Sequence, residues 1–218
     1  MAQPHTLLTK RWFLPGAIVL VAAAAASIIY LTQRSPAANT PVSKPNIITV
    51  STDNPSETKP PKDGYAWRGR PAEPKYIQLP SIKVEGHVQH VGIDQHKAVA
   101  VPNNVHIAGW FVDSVQPGDT GLSIIDGHVD GRREAGIFKD LASMQKDDTF
   151  TVTLGNDSTR TFKVVKVSRV KTADAPSVLF SQEPEVARQL NLITCGGTFD
   201  RASKSYDERI IVAAALVP

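Results

Sequence analysis

The chain has 218 residues, a formal net charge of +3, 6% aromatic residues, 16 prolines and a single cysteine. That length holds one domain with appendages, and a lone cysteine excludes an intramolecular disulfide framework. Residues 1–75 carry nine Lys and Arg against four Asp and Glu, leaving 15 basic and 17 acidic residues in 76–218, so the main body is slightly acidic and nucleic acid is excluded as an expected partner.

The first segment, 1–11, ends in Lys10-Arg11. Trp12 to Leu31 then runs without a charge, about the length a helix needs to cross the hydrocarbon core. Two positive charges on its N-terminal side predict a single-pass anchor, with 1–11 cytoplasmic and the remainder extracytoplasmic. The competing reading is a signal peptide cleaved near Pro36-Ala37-Ala38, but the apolar run is long for one. Residues 32–74 are rich in Pro, Ser, Thr, Asn and Lys, with pairs such as Ser35-Pro36, Lys44-Pro45 and Pro60-Pro61. Such composition buries too little apolar surface to offset chain entropy, so it predicts a disordered, semi-stiff stalk.

From residue 75 onward the pattern is one of short strands. Tyr76–Pro80 with Ile82-Lys83-Val84 reads as a first strand bent at Pro80. Glu85–Ile93 and Val99–Pro102 are weaker strands, followed by Val105–Phe111 and by Leu122–Asp126. Ile137–Leu141 reads as a helical turn. Thr149–Leu154 and Arg160–Lys171 read as a hairpin around Gly155-Asn156-Asp157-Ser158, with imperfect alternation at Val164, Val165 and Val167. Ala175–Glu185 is irregular, with a helical turn expected at Glu185–Gln189. Leu190–Thr194 and Ile210–Leu216 are the last strands. About eight short strands with little helix imply an all-β barrel or sandwich, and roughly 140 residues suffice for one core.

Three residues at expected strand ends carry chemistry. Cys195 closes Leu190–Thr194 and precedes Gly196-Gly197, where a side chain can emerge with little cover. A thiol there is either a small buried hydrophobe or a nucleophile activated by a neighbouring imidazole or guanidinium. His128, in Asp126-Gly127-His128-Val129-Asp130, suits a general acid–base; its plain alternative is a loop histidine held by Asp126 or Asp130. Arg209 opens a very apolar strand and either stabilises an oxyanion or pairs with Asp207 or Glu208. His87, His90, His96 and His106 lie close in sequence, but no metal-binding spacing accompanies them, so no metal or other cofactor is expected.

Together these residues resemble the sortases, membrane-anchored cysteine transpeptidases of cell surfaces. Gly127-His128, Leu192-Ile193-Thr194-Cys195 and Arg209-Ile210-Ile211-Val212-Ala213 match the family's histidine, cysteine and arginine segments in family order. Gly136–Leu141 followed by Asp147-Asp148 resembles the stretch between the histidine and the next hairpin. Gly127–Asp130 with Thr194–Asp200 is most similar to class F. Papain-like and NlpC/P60 enzymes place the cysteine before the histidine, the reverse of the order here. The resemblance covers about Tyr76 to Pro218. It implies an eight-stranded sortase β-barrel with one or two short helices behind an N-terminal transmembrane helix. It also implies Cys195, His128 and Arg209 as catalytic residues, with Arg201 the runner-up for the arginine, and Thr194 and Gly196 as substrate-binding. The implied partners are sorting-signal peptides of the Leu-Pro-X-Thr-Gly kind and an amine acceptor such as a cell-wall precursor or a pilin lysine. Ala173–Glu185 would line the substrate groove. The alternatives from other classes are a non-catalytic sortase-like binding module and a peptidase that hydrolyses the acyl-enzyme.

Overall fold

The computed structural model describes residues 54–94 and 97–218. The expected span at 12–31 and the stalk as far as residue 53 lie outside the described residues. Among the described residues no helix is long and apolar enough to cross a membrane.

Eight strands of the described residues close into a barrel: β1 (Pro74–Leu79), β2 (Val84–Val91), β3 (Ala108–Phe111), β4 (Gly121–Asp126), β5 (Thr149–Leu154), β6 (Thr159–Lys171), β7 (Arg188–Asp200) and β8 (Ser205–Leu216). Their spatial order is β1-β2-β3-β4-β7-β8-β6-β5, and β5 closes back on β1. The β2–β3 and β4–β7 pairs are parallel and the others antiparallel. One helix, α1 (Ala175–Leu179), lies in the connection between β6 and β7.

Several local expectations change in physical ways. Ile82-Lys83-Val84 does not prolong the first strand. Pro80 has no N–H for a ladder, so Pro80–Ile82 forms a 3-10 turn and Lys83 adopts a left-handed φ of 54°, folding β1 and β2 into a hairpin. Val99 makes only an isolated bridge to Ile93. The expected turn at Glu185–Gln189 gives way to β7, where Gln189 already pairs with Ala215; the helix sits earlier, with proline in its first turn, where a missing N–H costs nothing. The hairpin around Gly155–Ser158 forms as expected. Its imperfect alternation is a bulge: the register shifts between Val164 and Lys166, so Val165 is the extra residue and Val167 returns to the core phase.

Alternate side chains fill the barrel, including Ile77, Val88, Trp110, Phe150, Phe162 and Leu192. Each fully buried apolar side chain of this size contributes about 1.5–3 kcal/mol. A second, smaller cluster joins Phe111, Ile124, Ile193 and Ile211 to Leu179 of α1. Because side chains alternate across a strand, these residues occupy the outer face of β3, β4, β7 and β8. Two buried amides tie α1 and its flanks to that face. Asn191 Nδ2 donates to Leu179 O (2.8 Å), while Gln189 Nε2 donates to Ser181 O (3.2 Å) and Gln189 Oε1 accepts from Glu183 N (2.7 Å). Removing either amide would leave a buried partner unpaired, at a cost of about 1–3 kcal/mol.

The stalk expected over 32–74 differs in its last twenty residues. Residues 54–73 pack on the barrel: Ser56 bridges to Asn104, Tyr65 stacks on His87 at 4.1 Å, and Trp67 Nε1 donates to Pro74 O. These contacts are largely main-chain and aromatic, and proline-rich composition does not forbid them.

Candidate active site

The expectation that Cys195 and Arg209 stand at strand ends is overturned. β7 runs five residues past Cys195 to Asp200, and β8 begins at Ser205, before Arg209. The two residues are direct cross-strand partners, so their side chains share one face of the sheet. That face is the outer one, because Ile193 and Ile211, two residues from each, belong to the outer cluster.

The glycines after the cysteine are absorbed in a bulge. Register shifts between Gly196 and Phe199, and Gly197 takes a φ of +78°. Asp207 Oδ1 accepts from Thr198 N at 2.7 Å and lies where a Cβ on Gly197 would collide with it. Gly196 is buried, and a Cβ there would come within 2.9 Å of Ile210 Cγ1. Beyond the bulge the strands continue because Phe199 packs on Tyr206, ring centroids 5.2 Å apart.

Arg209 does not pair with Asp207 or Glu208. Those carboxylates bind Lys171 and, for Glu208, Arg169. Arg209 Nη1 instead donates to Thr172 Oγ1 (3.0 Å), Tyr206 O (3.0 Å) and Glu208 O (2.8 Å). All three acceptors are neutral, and the guanidinium charge acts on Cys195 across the strand pair. Arg201 lies exposed in the turn between β7 and β8, eight residues from Arg209.

His128 is placed by the end of β4, which runs parallel to β7 with Asp126 opposite Ile193. The next peptide is fixed twice: Gly127 N donates to Ile193 O (3.1 Å) and Thr194 Oγ1 donates to Gly127 O (2.7 Å). His128 therefore follows a backbone unit bonded to the two residues that precede the cysteine. The Thr194 hydroxyl, buried and committed to Gly127, acts on this loop. His128 Nε2 hydrogen-bonds Pro102 O at 2.7 Å. A carbonyl only accepts, so Nε2 carries a hydrogen and Nδ1 is left to exchange a proton. Neither Asp126 nor Asp130 forms a hydrogen bond with the ring among the described residues; Tyr206 Oη donates to Asp130 Oδ2.

Burial sets the resting protonation. It pushes the Cys195 thiol up to about 11, against the pull of Arg209, with Asp126 and Asp130 adding to the rise. It holds His128 below its ordinary value, opposed by the Pro102 carbonyl and by Asp130. The resting pair is thus neutral thiol and neutral imidazole.

Asp126 is a member of the site that sequence reasoning left outside. It shares the outer face with Ile124, it is 9% exposed, and its Oδ1 has no hydrogen-bond partner among the described residues. Burial pushes its carboxyl up to about 7, against the charge of Arg209. The folded state then binds the proton more tightly than the unfolded chain. The contribution of Asp126 to stability therefore falls as pH rises from about 4 to about 7. Asp126→Asn is expected to remove that fall, raising Tm at pH 8 by roughly 4 °C or more with little change at pH 4. The same variant removes a negative charge near Cys195, so the midpoint of thiol alkylation against pH should move down. Identical melting and alkylation profiles for the two proteins would refute this reading. The only sequence signal for Asp126 is its place two residues before a histidine.

Three of the four closely spaced histidines have other partners among the described residues. His87 bonds Pro61 O (2.9 Å), His90 contacts Glu73 (3.2 Å) and His106 bonds Glu57 O (3.0 Å), while His96 lies outside the described residues.

A sortase domain family model matches residues 77–217. Among solved structures, sortase A from Corynebacterium diphtheriae is 25% identical, with a TM-score of 0.50, over 69% of this chain and 63% of that one. Its lid mutant is 27% identical, with a TM-score of 0.51, over 69% and 73%. Sortase C-1 from Actinomyces oris is 24% identical, with a TM-score of 0.48, over 66% and 73%. No curated protein sequence matches the chain. The family model spans well over half of the chain, its span holds the cysteine, the histidine and the arginine, and the chain belongs to the sortase family.

Proposed function

We propose that this sortase is a membrane-anchored cysteine transpeptidase of the class F type. In this reading it cleaves a Leu-Pro-X-Thr-Gly-like sorting signal and joins the threonine carboxyl to an amine. The observation that carries the proposal is Cys195 directly opposite Arg209, whose Nη1 meets only neutral acceptors among the described residues, with His128 following a peptide bonded to the two residues before the cysteine. Residues 12–31 would hold the chain in the cell membrane, with the barrel extracytoplasmic.

The chemistry follows from the residues. The Cys195 proton passes to His128 Nδ1, and the thiolate attacks the threonyl carbonyl. The developing oxyanion faces the Arg209 guanidinium. His128 returns the proton to the departing amine as the C–N bond breaks, leaving a thioester. An incoming amine, from a cell-wall precursor or a pilin lysine, attacks the thioester and loses its proton to His128. The Cys195 thiolate departs and is reprotonated. The backbone around the Gly196 bulge shapes the floor on which the substrate lies. Water in place of the amine would yield the free acid.

The test is incubation of the protein with a panel of such peptides and hydroxylamine. The expected products are a threonine hydroxamate and a Cys195 acyl adduct in the intact mass. An alkylatable thiol with no adduct across the panel would shift the reading to a binding module.

A further inference from the structure

The segment just before the barrel reaches the loops on both sides of the histidine. Ser56 lies parallel to Asn104: Ser56 N donates to Asn103 O (2.8 Å) and Val105 N donates to Ser56 O (2.9 Å). Asn104 Nδ2 donates to Thr58 O (2.8 Å) and the His106 ring bonds Glu57 O (3.0 Å). These bonds fix residues 103–106, and Pro102, next in line, supplies the carbonyl that holds His128 Nε2. On the other side, the Glu57 carboxylate accepts from the backbone N–H groups of Arg132 and Arg133 (3.0 Å for the latter) in the loop that follows His128. Gly131 permits the approach, since a Cβ there would strike Glu57 Oε1. The loop is itself closed by an Asp130–Ala135 bridge and by Gly136 N donating to Val129 O. The Arg133 N–H above all holds the Glu57 carboxyl below its ordinary range, as a carboxylate binding backbone donors should be.

We propose that Glu57 is a positioning residue: with Ser56 and Thr58 it forms a strap that clamps the loops on both sides of His128 and so fixes the imidazole for proton transfer. The proposal rests on the reading of His128 as the proton-handling group, and it gives the segment after the stalk a role in the chemistry besides tethering. Misplacing a catalytic group by about 1 Å can cost on the order of 100-fold in rate, whereas an exposed carboxylate on a surface loop would ordinarily be dispensable.

The experiment uses the full-length chain in mild detergent with histidine-labelled protein, the His128 ring signals being assigned with His128→Asn. Glu57→Ala is expected to raise the His128 titration midpoint toward its ordinary value as the loop opens to water. It should also speed amide exchange at 131–134 and lower kcat with hydroxylamine by about ten-fold or more, with KM little changed. Glu57→Gln, which keeps an acceptor, should recover most of each effect, and Gly131→Ala should copy Glu57→Ala by pushing the carboxylate away. Should Glu57→Ala fail to fold, the Gln and Gly131→Ala pair carries the test. An unchanged His128 titration in variants whose 131–134 amides exchange faster would overturn the proposal, showing the strap to be structural only. The titration requires no peptide, so a wild-type protein inactive on every sorting signal would count against the transpeptidase reading while the ring signals still decide the strap.

Discussion

Replacing Cys195 with alanine is expected to abolish the acyl adduct and lower hydroxamate formation by at least ~10³-fold, with Tm changed by only a few degrees. The thiol is half-buried, so losing one sulfur removes little packing. Serine should be almost as inactive, because a hydroxyl at this position would be harder still to ionise than a thiol already pushed up to about 11. The same shift fixes the pH dependence of the wild type. Thiolate is the alkylating species, and below about 11 its fraction falls tenfold per pH unit, so iodoacetamide labelling should climb steadily from pH 7 to 10. Labelling that levels off near pH 7 would contradict the burial argument, and turnover by the alanine variant would end the mechanism.

The second large effect is at Arg209. Its Nη1 is taken by Thr172, Tyr206 and Glu208, leaving the rest of the guanidinium for the substrate. Arg209→Ala is expected to lower kcat/KM by roughly 10²–10³-fold, the range found when one oxyanion donor is lost. Arg209→Lys should recover little, because one ammonium cannot hold the three-acceptor cradle and also reach across to the cysteine. The alkylation profile of the alanine variant should shift upward in pH, since Arg209 pulls the thiol pKa down. Arg201→Ala should behave as wild type. The reverse ranking, with Arg201 essential and Arg209 dispensable, would transfer the role to the β7–β8 turn and refute the cross-strand geometry as the basis of catalysis.

Legibility in the sequence followed the physics of each element. The β5–β6 hairpin was readable because its turn residues and β-branched flanks are local signals. The order of histidine, cysteine and arginine was readable because it is linear. The continuation of β7 past Cys195 was not: two glycines signal either an opened loop or a bulge, and only the partner strand decides. Gln189 and Asn191 read as polar residues in a buried strand, yet their amides hold α1, an arrangement no periodicity records. Residues 54–73 read as stalk because composition reports side-chain burial, whereas this segment is held mainly through backbone bonds and two aromatic rings. Asp126 had only its place two residues before a histidine, since its importance comes from neighbours brought in by β7 and β8.

The parallel pairing of β4 with β7 has a kinetic consequence. Gly127 and Thr194 are 67 residues apart in sequence, and the hydrogen bond between them is part of what ties the segment carrying the histidine to the strand carrying the cysteine. Closing so long a loop is entropically expensive, and barrels dominated by such contacts fold in milliseconds to seconds rather than microseconds. The β5–β6 hairpin can form from neighbouring residues long before β4 and β7 meet. A chain emerging unfolded would thus keep the Cys195 and His128 segments apart until this late docking step.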